Sequence, residues 1–88
     1  MRVKDGFVLR EVAGQAMVIA TGEASRDFHG MVKLNGTGRL IWEGLSRGVS
    51  EQEMAEALVT EYDVSVEEAR SDVDAFVDKM REAGFLVE

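Results

Sequence analysis

The hydrophobic pattern of this chain changes period once, near residue 35, and that change limits the folds open to it. Before that point apolar residues come in short runs or alternate; beyond it they recur every three or four positions. Side chains alternate across a strand and repeat every ~3.6 residues along a helix. The sequence therefore predicts strands first and helices second. That is an α+β order, unlike the interleaved βαβ order of a parallel sheet.

In the first part, Phe7 to Val12 and Ala16 to Ala20 are apolar runs separated by a turn at Ala13-Gly14, which predicts a hairpin. Gly22 to Asp27 is a polar loop. From Phe28 to Leu34, the residues Phe28, Gly30, Val32 and Leu34 alternate with His29, Met31 and Lys33, the pattern of a third strand with one buried face. Gly30 weakens that strand and lets a neighbour approach closely.

In the second part, Ile41, Trp42 and Leu45 mark a first helix, with Asn35 or Thr37 as its N-cap and Gly48 at its end. Two S-x-x-E capping boxes follow, at Ser50/Glu53 and Ser65/Glu68, and each opens a further helix. Met54, Leu58 and Tyr62 form one stripe. Val66, Ala69, Val73, Phe76, Val77 and Met80 form another, at helical separations. Gly84 ends the last helix, and Phe85 to Val87 is an apolar tail expected to pack back on the core. The order is β-β-β-α-α-α over one domain, residues 1–88. A three-stranded antiparallel sheet followed by three helices is a winged helix-turn-helix-like architecture.

Charge narrows what such a domain does. Residues 1–47 carry seven Lys or Arg against five Asp or Glu; residues 48–88 carry three against twelve. The third helix, the one a winged helix would place in DNA, holds Glu67, Glu68, Asp72, Asp74, Asp78 and Glu82 against Arg70, Lys79 and Arg81. A groove-reading helix needs the opposite sign. Nucleic acid and anionic membrane are therefore disfavoured as partners. No stretch is long and apolar enough to span a bilayer, and the N-terminus lacks the pattern of a signal peptide, so a cytoplasmic location is expected.

Catalysis has little to build on. There are no Cys and one His, His29, and a single His on a strand is more often a surface residue than a base. Asp72, Asp74 and Asp78 read more simply as a solvated helix face than as a metal or acid–base cluster. Asn-Gly-Thr-Gly at 35–38 opens a helix and could cradle an anion, but without a following Lys it reads as a capped strand-to-helix turn. No catalytic residue, metal site or cofactor is expected.

What remains is recognition by shape. An edge strand carries unpaired main-chain groups, and a third strand lying beside the third helix would form a groove in which an extended peptide could add as another strand. The same edge could equally be covered by a second copy in a homodimer, or protected by Lys33 and its own shortness.

The stretch from Leu34 onward resembles the PqqD family. The pattern is Leu34-Asn35, the small turn with Thr37 and Gly38, the Ile41-Trp42 pair, Leu45, Tyr62, Val64, the Asp72-Val73 pair, Phe76 and the closing Gly84 and Leu86. The similarity spans about residues 7–87 and is less distinctive over the strands. It implies a peptide chaperone of the kind called a RiPP recognition element, which binds the leader of a ribosomally made precursor and presents it to an enzyme. The enzyme would be a radical S-adenosylmethionine maturase, as in PQQ biosynthesis, or a leader peptidase, as in lasso peptide biosynthesis. In that family the leader adds antiparallel to the third strand, beside the third helix. Carried onto this chain, the edge is Phe28, His29, Gly30, Met31, Val32, Lys33 and Leu34. The groove wall is drawn from Asp72, Val73, Ala75, Phe76, Lys79 and Met80. The competing expectations are a winged-helix nucleic-acid-binding protein and a structural homodimer.

Overall fold

A computed structural model describes residues 2–22, 26 and 31–87. Among the described residues the strands and main helices run in the order β1 (Arg2–Val3), β2 (Phe7–Val12), β3 (Gln15–Ala20), β4 (Met31–Leu34), α1 (Gly36–Ser46), α2 (Glu51–Tyr62), α3 (Val66–Glu82) and β5 (Leu86–Val87). The expected α+β order is present: an antiparallel sheet β2-β3-β4, then three helices. The sequence reading did not include β1 and β5. They pair antiparallel in a separate two-stranded sheet, Arg2 opposite Val87 and Val3 opposite Leu86. This ties the chain's two ends together.

Ala13 and Gly14 turn the β2–β3 hairpin, both with positive φ (52° and 78°), the backbone of a two-residue turn whose twist suits the flanking strands. The turn fixes the register, which sets Leu9, Val18 and Val32 in one row across the sheet and Glu11, Ala16 and Leu34 in the next. These rows face the helices: Val18 and Leu34 are buried. The opposite face carries the rows Val8–Ile19–Met31 and Arg10–Met17–Lys33.

The helices start where the capping residues place them. Asn35 accepts from the Gly38 amide (2.8 Å), Ser50 from Glu53 (3.1 Å) and Ser65 from Glu68 (3.1 Å). Thr37, the other cap candidate for α1, donates its hydroxyl to Asn35 Oδ1. Each cap satisfies an amide that the first helical turn would otherwise leave without a partner. Burial joins the elements into two apolar clusters. One gathers Ile41, Leu45, Met54, Leu58, Val73 and Val77 between the helices. The other gathers Val18, Leu34, Trp42, Met80 and Phe85 between sheet and helices. Phe85 seals the second cluster, with its ring 4.6 Å from Phe7 and 6.0 Å from Trp42 between centroids, so the apolar tail packs on the core as expected. At Gly44 a Cβ would lie 2.7 Å from Met54 Sδ, so α1 and α2 cross too closely there for a side chain.

Candidate functional site

β4 is the last strand of its sheet. One edge pairs with β3, and the other meets no described strand. The Leu34 carbonyl turns towards β3, where Gln15 Nε2 donates to it (3.1 Å). Main-chain groups of alternate residues in an antiparallel strand point to opposite edges. Those of Met31 and Lys33 therefore point to the open edge, where water or an added strand completes them.

The side chains of this strand divide as its alternation predicts. Met31 is 59% exposed and Lys33 is exposed on the outer sheet face, while Val32 is half-buried and Leu34 is buried towards the helices. Phe28, His29 and Gly30 lie outside the described residues.

β4 and α3 meet in one apolar cluster. Val32 and Phe76 both pack on the cluster built from Leu34, Trp42, Met80 and Phe85. The link runs through Gly38, where a Cβ would stand 3.1 Å from Phe76 Cε2 and 3.7 Å from Leu34 Cβ. A side chain at this first turn of α1 would require the Phe76 ring to give way by a few tenths of an ångström. Val32 and Phe76 are both half-buried on the cluster in which β4 ends.

The six helix residues expected to wall the groove do not share one environment. Asp72, Ala75 and Lys79 are exposed and Phe76 is half-buried. Val73 and Met80 are each only 1% exposed, which leaves them no surface for a visitor. Their place is the core, because they fall at helical spacing on the stripe with Ala69 and Val77. Val73 faces Ile41, Leu45 and Leu58, and Met80 faces Leu34, Trp42 and Phe85. Among the described residues Asp72 and Lys79 form no ion pair with helix neighbours, so both charges stand in solvent. No three His, Asp or Glu side chains among the described residues converge as metal ligands.

Sequence reasoning considered one edge of the sheet, yet a three-stranded sheet has two. The second belongs to β2, and α1 lies beside it. A shallow groove lies there, and Phe7, Val8, Leu9 and Arg10 line one side of it. The signal was the hairpin itself, since its first strand has a partner on one side only.

Set against known proteins, residues 8–86 match the family model described as coenzyme PQQ synthesis protein D (PqqD). Two solved structures share the fold. One, described as TbiB1 in complex with the TbiA(beta) leader peptide, has a TM-score of 0.78 at 20% identity, covering 98% of this chain and 94% of that one. The other is a lasso peptide synthetase B1 complexed with the leader peptide. Its TM-score is 0.79 at 23% identity, covering 99% of this chain and 96% of the other. A comparison with curated proteins returns no match.

Proposed function

The chain belongs to the PqqD family, and on that premise we propose that it is a non-catalytic carrier that binds the leader of a ribosomally made precursor peptide. The leader adds as a strand to the open edge of β4 and is delivered to a modifying enzyme. The observation that carries this reading is the open β4 edge, with Val32 and Phe76 half-buried on the cluster in which β4 ends. Main-chain pairing with Met31 and Lys33 supplies affinity. Val32 and Phe76 form the floor and select apolar residues at alternate leader positions. Asp72, Ala75 and Lys79 form the solvent rim. One fact lends support: both solved structures of this fold named above were determined with a leader peptide.

The domain contributes by concentration. Holding the precursor beside its enzyme turns an encounter between two dilute molecules into an intramolecular one. The enzyme is a radical S-adenosylmethionine maturase or a leader peptidase, and the complex works in the cytoplasm. No helix among the described residues is long and apolar enough to cross a membrane.

Titrating isotope-labelled protein with the precursor leader tests the reading. Amide signals of Met31–Leu34 and of α3 around Phe76 are expected to shift. A response confined to a distant surface overturns the assignment. Lys33→Pro adds a second arm, because Pro removes the main-chain donor that Lys33 presents to the open edge. Leader affinity is expected to fall at least tenfold in protein whose spectrum remains folded; unchanged binding rules out strand addition at β4.

A further inference from the structure

We propose that the β2 edge is a second strand-addition site, which takes an extended acidic segment of a partner protein and is independent of the leader groove. From Val8 to Val12 the outer edge of β2 pairs with no described strand. A groove of about 430 Å³ runs along it, between β2 and the C-terminal end of α1 with its cap residue Arg47. Phe7, Val8, Leu9 and Arg10 all line that groove. Alternate side chains of a strand point to opposite faces, so four consecutive residues can line one groove only where it follows the strand's edge. The main-chain groups of that edge are thus presented to whatever lies in the groove. Its floor is apolar, with Leu9 half-buried and Trp42 buried beneath it.

Charge states the chemistry of the occupant. Arg10 and Arg47 stand at this groove, and among the described residues neither pairs with a carboxylate. The only acid in the groove, Glu43, already accepts from Arg39 Nε at 3.1 Å. Arg10 Nη1 donates to the Leu9 carbonyl (3.4 Å), a contact that leaves its charge unbalanced. Two guanidinium groups without a carboxylate partner among the described residues, in a chain of net charge −7, mark a locally positive strip on an otherwise acidic molecule. An extended segment with carboxylates at alternate positions and an apolar residue between them completes both the main-chain edge and the charge. With β4 holding the leader, one three-stranded sheet then binds two partners at its two ends.

The test uses the full chain and two blocked eight-residue peptides. One alternates Glu with Val and Phe, and its twin carries Lys in place of every Glu. At low salt the acidic peptide is expected to shift the amide signals of Phe7–Arg10 and to change the fluorescence of Trp42. It should bind at least tenfold more tightly than the twin. The double variant Arg10→Glu, Arg47→Glu changes two exposed side chains and is expected to reverse the preference. The spectrum itself reports whether the variant is folded. The proposal is overturned if Phe7–Arg10 do not respond, if both peptides bind alike, or if the acidic peptide shifts Met31–Leu34 instead. It is equally overturned if sedimentation shows a dimer of the free chain that the double variant disperses, since the edge then belongs to a second copy. Leader titration at β4 is read from separate signals, so failure of either site is distinguishable from failure of the other.

Discussion

Phe76 and Met80 sit one turn apart on α3 and divide the work of the groove between them. Met80 is 1% exposed against Leu34, Trp42 and Phe85, whereas Phe76 is half-buried. Truncating Met80 leaves a cavity that its neighbours fill only in part. Met80→Ala is expected to cost about 2–5 kcal/mol of stability, while the molecules that remain folded bind the leader with near-native affinity. Phe76→Ala is expected to cost less stability and to weaken the leader's dissociation constant about tenfold, because it removes the floor and not the wall. Urea unfolding with leader titration below the transition separates the two effects. If folded Met80→Ala binds worse than folded Phe76→Ala, the division is wrong. The sequence showed both residues on one apolar stripe. It could not show which of them the core would cover completely, because that depends on where β4 ends against α1. Val66 makes the same point. Its spacing put it on the buried stripe, yet it is 54% exposed, lining a surface groove with Ala55 and Val59 of α2.

At the scale of elements, legibility followed the length of the signal. The three helices were readable because each carries a side-chain cap at its start and several turns of periodic apolar residues. The hairpin was readable because its strands are six residues each around a turn dipeptide. The β1–β5 pair was not, because two-residue strands contain no period to detect and their pairing is a contact between the chain's ends. The hairpin turn also carries a strain that local pattern did not reveal. Ala13 holds φ at 52°, a left-handed conformation that costs an alanine about 1 kcal/mol and that Asn accepts more readily. Ala13→Asn is therefore expected to raise stability by about 0.5–1 kcal/mol, and Ala13→Val to lower it, both read by thermal unfolding. The turn is remote from β4, so leader affinity should not move. A destabilised Asn variant would mean that this turn does not hold the register of the sheet.

For the whole molecule, the dominant electrostatic fact is a separation of sign. Residues 48–88 hold twelve of the seventeen acids, and α2 and α3 carry most of them side by side. The ion pairs among the described residues do little to offset this. Arg39 reaches Glu11 at 2.7 Å and Glu43 at 3.1 Å, and donating to Glu11 first and Glu43 second raises its pKa. Arg81 reaches Asp78 at 3.1 Å. All of these side chains are 44–69% exposed, and such solvent-screened surface pairs contribute little. Like-charge repulsion within the helical half therefore outweighs attraction across the surface. Salt screens both, with a Debye length of about 30 Å at 0.01 M and about 10 Å at 0.1 M. The Tm is expected to rise as sodium chloride is increased over that range. A gain of about 1 kcal/mol would appear as roughly 4–8 °C in a domain of this size. The same titration must act with the opposite sign at the β2 edge, where binding of an acidic segment rests on attraction and weakens with salt. A Tm that falls with salt would show that the exposed pairs outweigh the repulsion, and acidic-peptide binding that is indifferent to salt would remove the role given to Arg10 and Arg47.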